Sequence, residues 1–128
     1  GYKDAYRKVK YLEDDYDFAY VHVEAPDEMG HQGLVKEKIQ AIEFIDDKIV
    51  KMLVEELEKA GEDYRILVLP DHPTPIRVRT HTADPIPYML YDSRKKLGSQ
   101  EMYSETVAKA SGITWENGYQ LIDYLLER

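Results

Sequence analysis

Residues 34–60, LVKEKIQAIEFIDDKIVKMLVEELEKA, carry the clearest helical pattern in the chain. Apolar side chains recur there at steps of three and four residues, which places them on one face of an α-helix. Gly61 follows the last turn and predicts its end, because glycine readily adopts the left-handed conformation that closes many helices. We expect the apolar face to be part of the core. Its members are Val35, Ile39, Ile42, Ile45, Ile49, Met52, Leu53 and Leu57.

Short apolar runs on either side of this helix predict β-strands. The first run is β-branched and aromatic on both faces, which is typical of a strand covered on both sides. The predicted strands are 17–24 (DFAYVHVE), 64–70 (YRILVLP) and 87–92 (PYMLYD).

Further helices are predicted at 3–14, 104–110 and 115–127. The alternation of strands and helices favours an α/β fold in three layers, with a mostly parallel sheet and helices on both faces. In such a fold, ligands bind at the carboxyl ends of the strands.

The composition excludes several classes of function. Seventeen Lys and Arg against 25 Asp and Glu give the 128 residues a formal net charge of -8. An acidic surface of this kind repels the phosphates of nucleic acids and anionic lipids. The chain has no cysteine, which excludes disulfides, thiolate zinc sites and cysteine nucleophiles. Any metal must therefore be held by oxygen and imidazole nitrogen.

The length and apolar content suit one compact, soluble domain. No window approaches the roughly 18 apolar residues of a membrane span, and the N-terminus lacks the layout of a signal peptide. We therefore expect a cytoplasmic protein whose partners include neither nucleic acid nor membrane.

Aspartate and histidine crowd together in three segments: 24–33 (EAPDEMGHQG), 69–75 (LPDHPTP) and 79–87 (RTHTADPIP). Each segment alone is better explained as a polar or proline-stiffened turn. Together they place three of the four histidines and two aspartates at one edge of the predicted sheet, which we interpret as a metal site. The candidate ligands are Asp27, His31, Asp71, His72 and His81.

Five candidate ligands exceed the three that a catalytic zinc-like ion typically takes from protein, but they suffice for two ions that share a site. Two divalent cations about 3.5 to 4 Å apart stabilise the attacking and leaving oxygens at phosphorus in phosphatases and related enzymes. Phosphoryl transfer is therefore the leading chemistry. The fourth histidine, His22, shares a face of its predicted strand with Phe18 and Tyr20, so we expect it to be a packed core residue.

Three segments resemble a known family: VHVEAPDEMGHQG, KIQAIEFIDDKIV and DYRILVLPDHPTPIRVRTHTADPIPYMLY. They are similar to the C-terminal part of the archaeal-type, 2,3-bisphosphoglycerate-independent phosphoglycerate mutases of the alkaline phosphatase superfamily. The resemblance runs from about Asp17 to Tyr91 and depends on D-x-x-x-H, D-H and H-T elements in the family's order. It implies interconversion of 2-phosphoglycerate and 3-phosphoglycerate through a phosphoenzyme, in glycolysis and gluconeogenesis.

The resemblance also implies a role for each candidate ligand. Asp27, His31 and His81 would hold one divalent ion, and Asp71 with His72 would hold the other. Mn²⁺ is the expected metal, with Mg²⁺, Co²⁺ or Zn²⁺ as substitutes.

The nucleophile is expected outside these 128 residues. In the family, the second set of ligands is completed by an aspartate and by the Ser or Thr that becomes phosphorylated, and no segment before Asp27 resembles either. The resemblance therefore implies that both lie upstream of Gly1. None of the residues from Gly1 onward is assigned as the attacking group.

We therefore expect residues 1–128 to be a single segment, the C-terminal portion of an alkaline-phosphatase-like catalytic domain. Its substrate would be a small phosphorylated acid, and its partner the missing N-terminal part of the same enzyme. An uncovered sheet edge also predicts self-association. Two alternatives stay open: another metal-dependent phosphotransferase or phosphatase of the superfamily, and a non-enzymatic metal-binding α/β domain.

Overall fold

The computed structural model of the chain describes residues 16–95 and 101–127. The chain divides into two compact units. Unit 1 comprises the residues up to Glu62 together with Thr74–Thr82, and unit 2 comprises Asp63–Pro73 and the residues from Ala83 onward. The segment Thr74–Thr82 therefore returns the chain from unit 2 to unit 1.

The first helix that the structure describes in unit 1, α1, covers Ala25–Gln32. Pro26 lies in its first turn, where the fixed φ of proline suits a helix start and its missing N–H is not needed. Gly33 ends the helix with a φ of 72°, in the left-handed region that favours glycine. The segment EAPDEMGHQG is thus a short helix with a glycine stop.

The strand predicted at 17–24 is wrong, because this segment is irregular in the structure. A strand needs a neighbour that pairs with its backbone N–H and C=O groups. The sheet formed by the described residues has two strands, both in unit 2. High β-propensity therefore did not suffice to form a strand at 17–24.

The long helix predicted at 34–60 is confirmed. It runs as α2 (Val35–Ile45), passes through one π-helical segment (Asp46–Val50) and continues as α3 (Lys51–Ala60). Gly61 ends it with a φ of 71°, as its position in the sequence predicts.

Unit 2 contains a two-stranded antiparallel sheet. Strand β1 (Arg65–Val68) pairs with β2 (Met89–Asp92), with Arg65 opposite Asp92 and Val68 opposite Met89. Both strands lie within runs predicted from the sequence. The chain is confirmed to mix helices and strands, while the three-layer, mostly parallel arrangement stays a prediction.

Unit 2 also contains two short helices, α4 (Glu105–Ser111) and α5 (Gln120–Leu126). The Ser104 hydroxyl caps α4 by accepting a hydrogen bond from the Val107 N–H at 3.2 Å. Helix α5 begins at Gln120 and not near Trp115, because a turn closed by Gln120 N and Asn117 O at 3.1 Å precedes it.

The apolar face of the long helix is buried only in part. Ile49 is 4% exposed and belongs, with Leu121 of unit 2, to the few buried apolar side chains of the described residues. Val35, Ile39 and Ile42 are 53%, 52% and 50% exposed. The expectation that this whole face is core is therefore wrong for its N-terminal half.

The helix predicted at 3–14 lies outside the described residues. Gly1 lies outside them as well, and the nucleophile is expected upstream of it. Within the part of the chain that the structure describes, no helix has the length and apolar content needed to cross a membrane.

Candidate metal centre

Helix α1 places Asp27 and His31 on one face. Residues four apart in an α-helix lie one turn above each other. Oδ2 of Asp27 is 3.4 Å from Nε2 of His31. Two of the five predicted ligands are thus brought together by local helical geometry, where the sequence had predicted a loop.

His81 joins this pair from the segment Thr74–Thr82 of the same unit. Its Nε2 lies 3.5 Å from Oδ1 of Asp27 and 3.2 Å from Nε2 of His31. One ligand atom from each of the three residues lies within 4.8 Å of the other two. This separation suits three ligands of a single ion after small side-chain adjustments.

The tautomer of His31 is set by the backbone of Arg79. Nδ1 of His31 lies 3.0 Å from the carbonyl oxygen of Arg79, and a carbonyl can only accept a hydrogen bond. Nδ1 therefore carries a proton, and a neutral His31 has its lone pair on Nε2, the atom that faces Asp27 and His81. Arg79 adopts a φ of 57°, a left-handed conformation that is uncommon for a residue other than glycine.

The three residues fit a divalent transition metal. One carboxylate and two imidazoles form a donor set suited to Mn²⁺, Zn²⁺ and similar ions. The side chains of Asp27, His31 and His81 are 35%, 40% and 52% exposed. A bound ion would therefore be reachable from solvent and would keep coordination positions open for a further ligand.

Asp71 and His72 lie in unit 2, shortly after β1. The His72 N–H donates to Oδ1 of Asp71 at 3.1 Å, and Nε2 of His72 lies 3.5 Å from Oδ2 of the same aspartate. The pair therefore presents a carboxylate and an imidazole side by side. Its assignment to a second ion stays a prediction, as does the position of the nucleophile upstream of Gly1.

His22 does not belong to a packed core, as the sequence had suggested. It is exposed, and its Nδ1 lies 3.4 Å from the Tyr20 hydroxyl. The prediction failed because it depended on alternation within a strand that does not form.

Three residues that hold the site were missed from the sequence. The Thr74 hydroxyl donates to Oδ1 of Asp27, and Nζ of Lys38 donates to the Thr74 carbonyl at 2.7 Å. A Cβ on Gly30 would lie 2.6 Å from the same carbonyl oxygen. A glycine inside a helix was the one available signal, since it is unfavourable there without a packing or functional reason.

Comparison with known families finds a match over most of the chain. The Metalloenzyme superfamily matches residues 3–117, which include all five predicted ligands. No solved structure matches the chain at a significant level.

Curated relatives are named 2,3-bisphosphoglycerate-independent phosphoglycerate mutases. The protein of Methanothrix thermoacetophila is 43% identical over 110 residues, or 86% of this chain. A second mutase, from Methanothermobacter thermautotrophicus, is 45% identical over 115 residues and 89% of the chain. The protein of Aeropyrum pernix is 38% identical over 121 residues and 94% of the chain. In each case the chain spans 28% of the relative's length.

Proposed function

Because the chain belongs to the Metalloenzyme superfamily, we propose that it is the metal-binding portion of an enzyme that interconverts 2-phosphoglycerate and 3-phosphoglycerate. The observation that carries this proposal is the convergence of Asp27, His31 and His81 within 4.8 Å. The names of the relatives support the substrate. The chain covers 28% of the length of each of these relatives, which supports the proposal that it is part of a longer catalytic domain.

In this proposal the chain holds two divalent ions. Asp27, His31 and His81 bind the first, with His31 presenting Nε2 because its Nδ1 is engaged by the Arg79 carbonyl. Asp71 and His72 bind the second, together with ligands from the rest of the enzyme. Mn²⁺ suits both sets, and Mg²⁺, Co²⁺ or Zn²⁺ would substitute.

When bound, the ions supply electrostatic stabilisation of the charge that develops at phosphorus. The residues of this chain hold the site and do not attack the substrate. A Ser or Thr hydroxyl in the part of the enzyme that would precede Gly1 takes the phosphoryl group and returns it to the other oxygen of glycerate. The three-layer, mostly parallel sheet of an alkaline-phosphatase-like domain would be completed by the same part.

The half-exposed face formed by Val35, Ile39 and Ile42 supports the proposal that another part of the enzyme packs against this chain. Apolar side chains at these spacings ordinarily pack against another element. We assign the rest of the same enzyme to this face, with self-association as the substitute when that part is absent. The assembled enzyme would act in the cytoplasm, in glycolysis and gluconeogenesis.

A different phosphotransferase or phosphatase is the second candidate. It is favoured by the breadth of the superfamily match, because the metal ligands define the chemistry at phosphorus and leave the rest of the substrate open. Conversion of 3-phosphoglycerate distinguishes the two candidates.

The test compares the 128-residue chain with a longer version of the protein extended at its N-terminus. With saturating Mn²⁺, the longer protein should convert 3-phosphoglycerate, and the chain alone should not, because catalytic groups that act as a unit fail together. In the longer protein, Asp27→Ala should abolish turnover and His22→Ala should preserve it. Substantial turnover by the chain alone, lost on Asp71→Ala, would contradict the proposed division of the site.

A further inference from the structure

We propose that Thr74 is a positioning residue for the metal centre: its hydroxyl sets the orientation of the Asp27 carboxylate before an ion binds. The inference rests on the proposed metal site and concerns a residue outside its ligand set. Thr74 is 5% exposed, and its hydroxyl donates to Oδ1 of Asp27. A hydroxyl that donates to an ionised carboxylate makes a short and strong hydrogen bond.

The orientation of Asp27 matters because both of its oxygens face histidines. Oδ2 lies 3.4 Å from Nε2 of His31, and Oδ1 lies 3.5 Å from Nε2 of His81. The terminal torsion of an aspartate is broad, so a carboxylate without a fixed donor samples orientations that face only one of the two rings. The Thr74 hydroxyl selects the orientation that faces both.

Thr74 can act in this way because its own backbone is held from two sides. Nζ of Lys38, on α2, donates to the Thr74 carbonyl at 2.7 Å. That carbonyl also lies 2.6 Å from where a Cβ on Gly30 would be, so the segment from Thr74 packs directly against the backbone of α1. The donor is thus fixed relative to the helix that carries Asp27 and His31.

The burial of Thr74 argues against a role as the attacking nucleophile. A nucleophilic hydroxyl has to reach the phosphorus of a substrate in line with the bond that breaks. The Thr74 hydroxyl points instead into a hydrogen bond with a ligand carboxylate. Removal of a group that orients a metal ligand commonly weakens metal binding by about 10-fold to 100-fold.

The test is calorimetric titration of the 128-residue chain with Mn²⁺ alone. Thr74→Val preserves the shape of the side chain and removes the donor, so we expect binding to weaken by about 10-fold to 100-fold. Thr74→Ser keeps the donor and should restore an affinity close to that of the unmutated chain. Thr80→Val makes the same chemical change at an exposed threonine of the same segment and should leave the affinity unchanged.

Melting in EDTA, followed by circular dichroism, separates positioning from folding. A folded Thr74→Val variant that binds Mn²⁺ as tightly as the unmutated chain would overturn this inference and leave the proposed metal site intact. If Thr74→Val does not fold, Thr74→Ser decides, and a folded Thr74→Ser variant with lost affinity would refute the role of the hydroxyl. Absence of Mn²⁺ binding by the unmutated chain would instead refute the metal site itself, and the inference with it.

Discussion

Two clusters of charged and polar side chains, one in each unit, differ in how their atoms face one another. In unit 1, Asp27, His31 and His81 bring together atoms that can each ligate a metal, within 4.8 Å. In unit 2, the Asp92 carboxylate faces the guanidinium groups of Arg65 and Arg94 at 2.9 Å. The first arrangement gathers ligands, whereas the second already pairs negative with positive charge.

The cluster of unit 2 joins both strands to the end of α5. Arg65, on β1, donates to Asp92 on β2, to the carbonyls of Tyr124 and Leu125, and to the Glu127 carboxylate. Side chains of Lys and Arg commonly bind the last carbonyls of helices in this way. The donors of Arg65 are thus used in holding the unit together.

Charge pairing also changes the acidity of this cluster. The Arg94 guanidinium hydrogen-bonds to Asp92 and, with a further hydrogen bond from Arg65, holds the pKa of the Asp92 carboxyl well below its usual range. Arg94 likewise lowers the pKa of Glu127. Because Asp92 is 8% exposed, these hydrogen bonds keep a buried carboxylate ionised.

The comparison shows that residue type alone does not distinguish a candidate metal site from a cluster of charged residues that stabilises the fold. What distinguishes them is the kind of groups that face one another: in unit 1 they are all potential metal ligands, and in unit 2 they are a carboxylate and two guanidinium groups. Changes in the cluster of unit 1 should therefore alter metal affinity and spare folding, and changes in the cluster of unit 2 should do the reverse.

The largest effect is expected for His31→Ala. Removing a ligand should weaken Mn²⁺ binding by more than about 100-fold, beyond the usual effect of a group that only orients a ligand. Calorimetry measures the affinity, and the melting temperature in EDTA should change little. The control is His22→Ala, an exposed histidine outside the cluster. Equal affinities for the two variants would show that the cluster is not a metal site.

Gly30→Ala should change both Mn²⁺ affinity and the melting temperature. We expect its effect on affinity to be smaller than that of His31→Ala. Helix propensity alone would favour alanine by about 1 kcal/mol, but the new Cβ would lie 2.6 Å from the Thr74 carbonyl oxygen. Displacing Thr74 should weaken Mn²⁺ binding roughly tenfold and lower the melting temperature.

Gly118→Ala is the matched control, because a Cβ there meets nothing within 4 Å. A Gly30→Ala variant with a raised melting temperature and unchanged affinity would mean that the segment from Thr74 moves aside without consequence for the ligands.

The parts of the fold that could be predicted are those encoded locally. The periodicity of 34–60 and the glycine after it were enough to give the long helix and its end. The segment 17–24 has the same kind of local signal for a strand, yet it is irregular because strand formation also depends on a neighbour. The direction of pairing between β1 and β2 likewise depends on contacts between residues far apart in sequence.

The site divides in the same way. The five candidate ligands could be proposed because few residue types bind metals and these were grouped in three short segments. Thr74 could not be predicted, because its role depends on a hydrogen bond to a residue 47 positions earlier. The pairing of Arg65 with Asp92 spans 27 positions and was missed for the same reason. Partners of this kind become visible only when the chain is folded.

The smallest effect on Mn²⁺ affinity is expected for Asp92→Asn. At pH 7 the variant keeps the shape of the side chain but loses the charge that Arg65 and Arg94 face. Breaking a buried pair on one side leaves the other charge poorly compensated, so the melting temperature should fall by roughly 5 to 10 °C. Mn²⁺ affinity should be unchanged. Asp123→Asn removes an exposed carboxylate of the same unit and should have little effect on either property.

The difference in melting temperature between the unmutated chain and Asp92→Asn should depend on pH, because the pKa of Asp92 is lowered in the folded state. The stabilisation is fully present above the pKa of an unfolded aspartate, about 3.9, and is lost as the pH falls below that value towards the lower pKa of the folded state. The melting temperature of the unmutated chain should therefore begin to fall below about pH 5 and should keep falling as the pH drops further below about 3.9, towards the lowered pKa of the folded state. Asp92→Asn should drop less, so the two curves should approach each other on acidification. A difference that stays constant over this range would mean that the contribution of Asp92 comes from its packing and not from its charge.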